Sequence, residues 1–241
     1  MQKSNMKIIA VIPARYQSTR LANKPLIQIN NKPLVQLTYE AVVGTNLFDS
    51  IYITTDAKKI QTISADFGAR CILTSTKNRN GTERCVELIK KTNGSISDND
   101  IVVNIQCDEP FIKKKHIKKL INLFKEDIIG TLITPLKKSE IKDTSIVKTI
   151  INKDLQAIDF ARTNTNWKGK QKLFKHIGVY AYTKKTLLKL KELTVTKREL
   201  TESLEQLRWL EHNYNIKCAV INESLISINT KNDLKKVLKN N

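Results

Sequence analysis

The chain has 241 residues, 40% of them apolar, and carries 42 Lys and Arg against 23 Asp and Glu, a formal net charge of +19 at pH 7. That length and apolar content suit one large domain with its own core, and the apolar runs are too short for a spanning helix. The basic excess matches the footprint of nucleic-acid binding. Its lysines, however, are spread along the chain in "KKKHIKK", "KKTLLKLK" and "NDLKKVLKNN", without aromatic–basic interleaving. A specific nucleic-acid partner is therefore not expected, and an acidic small substrate suits the positive field as well.

In chain order, the opening "MQKSNMKIIAVI" lacks the long apolar stretch and small-residue cleavage site of a signal peptide, so a cytoplasmic location without membrane insertion is expected. Apolar runs at 7–12, 50–55, 69–74 and 100–105 have strand character, and helical patterns lie between them at 33–43, 57–67 and 82–91. Strand and helix in alternation predict a doubly wound α/β sheet, which binds ligands beyond the carboxyl ends of its strands. Further on, "GTLITPL", "SIVKTIIN" and "HIGVYAYT" read as strands, followed by helices over 184–193 and 199–212. "IKCAVIN" and "ESLISIN" then read as a closing strand pair before a Lys-rich helix. With no linker or repeat, the expectation is a single domain over 1–241: a nucleotide half to about residue 130, an inserted smaller sheet region over 131–220, and a return to the core over 221–241. Cys71, Cys85, Cys107 and Cys218 form no CxxC pair and read as reduced thiols, not disulfides or zinc ligands.

Two segments carry chemistry. "IPARYQSTRLANKPL" places Arg15, Arg20 and Lys24 after the first strand, between small residues Ala14, Ser18 and Ala22. Small residues let backbone N–H groups approach phosphate oxygens, Arg15 offers a bidentate fork and Lys24 a point charge. A solvated basic loop is the plainer alternative. "NIQCDEPFI" puts Asp108 and Glu109 directly after the fourth strand. Carboxylates facing a polyphosphate loop suit magnesium, and a helix cap is the plainer alternative. Both segments fall at the same sheet edge and should meet.

"PARYQSTRLANKPL", "TTD", "NGTER", "NIQCDEP", "FAR", "KHIGVYAY" and "LEQLR" occur in one order, and in that order the chain closely resembles the CMP-KDO synthetases (3-deoxy-manno-octulosonate cytidylyltransferases), nearly end to end. The resemblance implies a Rossmann-like nucleotidyltransferase fold, CTP and KDO as substrates, Mg2+, a homodimer and a place in lipopolysaccharide biosynthesis. It implies catalytic roles for Arg15, Lys24 and Asp108. It implies CTP contacts from Ala14, Arg15, Arg20, Lys24, Asn80, Gly81, Thr82 and Gln106, and KDO contacts from Arg162, His176, Tyr180, Glu205 and Gln206. Metal ligation falls to Asp108 and Asn229.

Three departures from the family pattern carry expectations. Cys107 stands where the family has glycine, which predicts crowding at the nucleotide or an oxidation-sensitive thiol. Asn229 stands where the family has aspartate, which predicts weaker metal binding. Asn23 replaces a glycine in a turn whose left-handed backbone asparagine tolerates. Asp159, in place of an aromatic, leaves open a related acidic sugar bearing an amine, such as 8-amino-KDO. A degenerate nucleotide-binding protein is the other alternative.

Overall fold

The computed structural model describes residues 6–18, 21–124, 129–163, 167 and 172–239. Its strands are β1 (Ile8–Pro13), β2 (Gln28–Ile29), β3 (Lys32–Pro33), β4 (Ser50–Thr55), β5 (Arg70–Leu73), β6 (Ile101–Ile105), β7 (Ile129–Pro135), β8 (Lys148–Ile151), β9 (Ala157–Ala161), β10 (Phe174–Thr183) and β11 (Ile216–Val220). Its helices are α1 (Leu34–Val43), α2 (Lys58–Asp66), α3 (Gly81–Lys91), α4 (Lys114–Ile121), α5 (Lys184–Glu192), α6 (Lys197–Glu202), α7 (Glu205–Glu211) and α8 (Lys231–Lys239).

One mixed sheet runs in the order β11-β7-β10-β6-β1-β4-β5. Along this path β10 alone is antiparallel to its neighbours, β6 and β7. The remaining pairs, β6–β1, β1–β4, β4–β5 and β11–β7, are parallel. Continuous apolar runs such as "IIAVI" and "IVVNI" form the central strands because helices cover both faces, so both side-chain sets must be apolar. The strand period of two then divides them. Ala10 and Ile12 join a core with Leu34 of α1, Ile60 of α2 and Ile117 of α4. Ile9 and Val11 join a second core with Leu88 of α3, Leu187 of α5 and Trp209 of α7.

The antiparallel course of β10 has a positional effect. The carboxyl ends of β1, β4 and β6 meet at one edge of the sheet. A reversed strand brings its beginning, not its end, to that edge, so Lys175, His176 and Gly178 lie beside the residues that follow β6. A register shift between Ile177 and Tyr180 breaks the β7 ladder there, and bulges of this kind re-aim side chains next to binding sites. The inserted sheet region takes the form of the antiparallel β8–β9 pair, attached to the first residues of β10 and continuous with the main sheet.

Two expected elements differ. "ESLISIN" forms no strand. Its apolar residues Leu225 and Ile228 are buried, but its backbone serves other partners. Lys175 Nζ donates to the Leu225 carbonyl at 3.1 Å, and the Ile228 N–H donates to the Asp108 carbonyl at 2.9 Å. The segment crosses the site edge instead of pairing. The helix expected over 199–212 is two helices, divided where Ser203 adopts a left-handed φ of 53° and Leu204 is extended. That break starts α7 afresh at Glu205. Strand β9, helix α4 and the β2–β3 hairpin extend the predicted set. The hairpin turns on Asn30 and Asn31, both with positive φ, a recognisable asparagine turn.

Candidate active site

The cationic loop leaves β1 pinned on both sides. Asp56, just past β4, accepts the Tyr16 N–H at 2.9 Å through one oxygen and Arg84 Nη2 at 2.8 Å through the other. Arg84 is only 1% exposed and also donates to Thr74 Oγ1. Losing either partner of this buried pair would leave an uncompensated charge, a cost of about 3–5 kcal/mol. Arg15 is exposed, and its Nε donates to the Gln17 carbonyl at 2.6 Å. Asn23 has φ 52° and ψ 32°, the left-handed turn that its amide side chain was expected to tolerate. Lys24 follows and points inward. Arg20 lies outside the described residues.

Two cavities open along this edge. A smaller one, about 220 Å³, is lined by Arg15, Ser18, Lys24, Arg79 and Arg84 among others. A larger one, about 790 Å³, takes in Arg162, His176, Tyr180, Glu205 and Gln206. Arg79, Asn80, Gly81, Gln106 and Asp108 line both. The wall between them is tightly built. A Cβ on Gly81 would run into Gln106 Nε2, and the Asn104 amide lies 3.3 Å from the same point. Glycine is required there by close approach. Gln106 Nε2 donates to Asn104 Oδ1 at 3.0 Å, and Asn104 Nδ2 donates to the Tyr182 hydroxyl at 3.1 Å. Asn80 caps α3 by accepting the Glu83 N–H at 2.9 Å, so capping and cavity lining coexist in one residue.

In the larger cavity, burial controls protonation. Thr131 Oγ1 donates to the Val179 carbonyl at 2.9 Å and lies 3.0 Å from His176 Nε2. Its proton is thus committed, so His176 Nε2 carries a hydrogen and donates, leaving Nδ1 as an acceptor. Enclosure beside Phe160 and Tyr180, and then the charge of Arg162, hold this imidazole down at about 3. Burial raises Glu205 to about 7 against the opposing hydrogen bond from Thr82, and its Oε2 has no partner among the described residues. Arg162 is braced by the Glu202 and Ser145 carbonyls, each 3.2 Å away.

The cation site expected from Asp108 and Asn229 has a distinct geometry. Lys24 Nζ donates to Asp108 Oδ2 at 2.6 Å and to Asn229 Oδ1 at 3.3 Å. The two oxygens thus converge on one positive charge. Among the described residues no group of three or more His, Cys, Asp or Glu gathers to hold a metal. One carboxylate and one amide oxygen, completed by substrate phosphate oxygens, is nevertheless a donor set that magnesium accepts. The residues fit a divalent ion provided that Lys24 moves to another anion.

Several expected contacts are placed differently. Ala14 is fully buried. Its N–H donates to the Thr54 carbonyl at 2.8 Å and its carbonyl accepts from Thr55 Oγ1 at 2.7 Å, so its amide is not available to a phosphate. Thr82 is buried beneath the wall, 3.5 Å from the Tyr182 hydroxyl, and lines neither cavity. Cys107 borders the smaller cavity but belongs to the apolar core at 5% exposure. Burial pushes its thiol up, the reverse of what an oxidation-prone thiolate needs. Asp159 does not face the larger cavity. One of its oxygens accepts Arg198 at 2.7 Å and the other accepts Trp167 Nε1 at 2.9 Å, so it offers no carboxylate to a substrate amine. Arg79 and Arg84 were missed as lining residues, although Arg79 immediately precedes "NGTER" and Arg84 is its last residue.

The comparisons with known proteins agree with this geometry. Residues 9–218 match the family model described as cytidylyltransferase. The 3-deoxy-manno-octulosonate cytidylyltransferase of Parabacteroides distasonis is 37% identical over 97% of both chains. That of Fusobacterium nucleatum is also 37% identical, over 97% of this chain and 96% of its own. Among solved structures, a CMP:2-keto-3-deoxy-manno-octonic acid synthetase complexed with CTP superposes with a TM-score of 0.84 at 30% identity, covering 97% of each chain. A 4-diphosphocytidyl-2C-methyl-D-erythritol synthase from Anaerococcus prevotii, at 16% identity and a TM-score of 0.63, shares the fold. The family model over residues 9–218 and relatives 37% identical over nearly the whole chain place it in the cytidylyltransferase family, among the 3-deoxy-manno-octulosonate cytidylyltransferases.

Proposed function

We propose that the protein transfers the cytidylyl group of CTP to the 2-hydroxyl of KDO, yielding CMP-KDO and pyrophosphate for lipopolysaccharide biosynthesis. The observation that carries this reading is the shared wall: the two cavities touch at Gln106 and Asp108, where an acceptor hydroxyl in one would meet an α-phosphorus in the other. The hydroxyl oxygen forms a bond to that phosphorus and releases its proton to solvent, the bond to the bridging oxygen breaks, and the pyrophosphate takes the electron pair. Little covalent work falls to the protein, so alignment and charge neutralisation dominate.

Arg15 and Lys24 bind the triphosphate, and Arg79 and Arg84 reinforce the positive side of that cavity. Arg162 faces the sugar carboxylate, His176 Nδ1 accepts from a sugar hydroxyl, and Glu205 and Gln206 orient others. Asp108 and Asn229 would hold Mg2+, which when bound neutralises phosphate charge and polarises the acceptor oxygen. Exposed Ile158 and Leu200 support a homodimer through the β9–α6 flank, and a CTP substrate accords with a cytoplasmic setting. The engagement of Asp159 by Arg198 and Trp167 argues against an amino sugar.

The test is pyrophosphate release with CTP and KDO across a magnesium series, with UTP and ATP as controls. Release that depends on both CTP and KDO is expected. No release from folded protein at any magnesium level would leave bare nucleotide binding and overturn the reading. Asn229→Asp should lower the magnesium midpoint by several-fold, because it adds a charge at the cation. An unchanged midpoint would remove Asn229 from the cation site.

A further inference from the structure

We propose that Glu109 is a positioning residue that holds Asn229 in register with Asp108. This rests on the reading of Asp108 and Asn229 as the cation's two protein oxygens.

Asp108 and Glu109 are adjacent but face different tasks. Asp108 turns to Lys24, whereas Glu109 is 3% exposed and turns back under the site. Its Oε1 accepts from Ser227 Oγ at 2.6 Å and from the Gly178 N–H at 3.3 Å. One carboxylate oxygen thereby joins the end of β6, the bulge of β10 and the segment 221–229. That segment has lost its expected strand pairing, so these side-chain bonds replace a ladder. The Ile228 N–H adds a second stitch, to the Asp108 carbonyl at 2.9 Å. Beyond it, Asp233 Oδ2 accepts the N–H groups of Asn229 at 3.2 Å and Thr230 at 2.9 Å.

The departure at Asn229 makes this tether consequential. Two carboxylates are drawn together by the divalent cation they share. An amide oxygen carries no charge to be drawn in, so the scaffold must place it beforehand. Ser227 is two residues from Asn229, and Glu109 is one residue from Asp108. The Ser227–Glu109 hydrogen bond, with the Ile228 stitch beside it, therefore sets the separation of the two donor oxygens.

Ser227→Ala removes the hydroxyl from the tether, and Ser227→Thr keeps one. Two quantities are read: Mn2+ binding to the CTP-loaded protein without sugar, by electron paramagnetic resonance, and the magnesium midpoint against kcat. Ser227→Ala should weaken Mn2+ binding and raise the magnesium midpoint by about fivefold to tenfold, the scale of one ordinary hydrogen bond. Its loss of rate should be regained at saturating magnesium, and Ser227→Thr should restore the parent values. Wild-type Mn2+ binding by Ser227→Ala, or a fall in kcat with an unmoved midpoint, overturns the proposal. Asn229→Ala separates the two layers. If it binds Mn2+ as the parent does, the cation reading fails and the tether falls with it. If it binds weakly while Ser227→Ala does not, the tether alone fails.

Discussion

The smaller and the larger cavity treat ionisable groups in opposite ways. The smaller is built from permanent cations: Arg15 at the surface, Lys24 on Asp108, and Arg84 buried on Asp56. The larger adds titratable groups that burial drives toward their neutral forms, His176 at about 3 and Glu205 at about 7. A triphosphate needs fixed charge, because attraction and charge neutralisation dominate its binding. A sugar acid with several hydroxyls needs one cation and a set of directed donors and acceptors, because a buried charge facing a hydroxyl is costly. On the proposed reading, the contrast lets one sheet edge serve two substrates without the acids of one side repelling the phosphates of the other.

The most forceful way to break this contrast is Lys24→Met. Removing the inward cation from the smaller cavity should lower kcat by roughly 10²–10³-fold, the scale of a lost charge-stabilising donor. Steady-state pyrophosphate release measures it, and a change within tenfold would show that Lys24 is not part of the phosphate machinery. Gly81→Ala attacks the wall between the cavities. Its Cβ displaces Gln106 from Asn104, so we expect a stability loss of about 1–3 kcal/mol in urea unfolding and a raised KM for CTP.

Glu205→Gln sharpens the other side. Burial raises the folded Glu205 carboxyl to about 7, above the ordinary glutamate value of 4.5. The folded state therefore binds the extra proton between those values, and stability falls as pH rises from 4.5 through 7. Replacement by glutamine should stabilise the protein at pH 8, by about 2 kcal/mol once contact with cavity water is allowed for, and give no gain below pH 4.5. A gain that does not vary with pH would contradict a carboxyl held neutral by burial. The smallest effect concerns His176. Because enclosure lowers it to about 3, its imidazole resonances should stay constant from pH 8 to pH 5. A transition near 6.5 would show an imidazole open to solvent.

Much of this was legible in the sequence wherever chemistry sat next to a strand end. Gln106 and Asp108 follow an apolar run closely, Lys24 lies in the loop after another, and the alternation of strand and helix dictates the edge on which they meet. Asn23 could be read as a left-handed turn from its residue type alone. Illegible were contacts between segments far apart, whose partners no local pattern names: Ser227 on Glu109, Lys24 on Asn229, and Arg198 on Asp159. "ESLISIN" misled because it is a short apolar run like those of the true strands. Leu225 and Ile228 are buried three residues apart, off the strand period, and the backbone bonds go to β10 and to Asp108 instead of to a neighbouring strand. Ala14 misled because small size suggests an open amide, whereas Thr54 already holds it.

The ion pair of Lys24 with Asp108 also bears on ionic strength. At rest the acid at the centre of the site carries an internal counter-ion, with side chains of the pair only 16% and 15% exposed. A nucleotide arriving with its own divalent ion meets no bare carboxylate. On the proposed reading Asp108 and Asn229 would hold that ion while Lys24 turns to the phosphates. Charge at that point stays close to balance throughout the exchange, so added salt has little to screen there. Salt should act on the exposed Arg15 and on the rate of encounter, and leave the seated complex nearly unchanged.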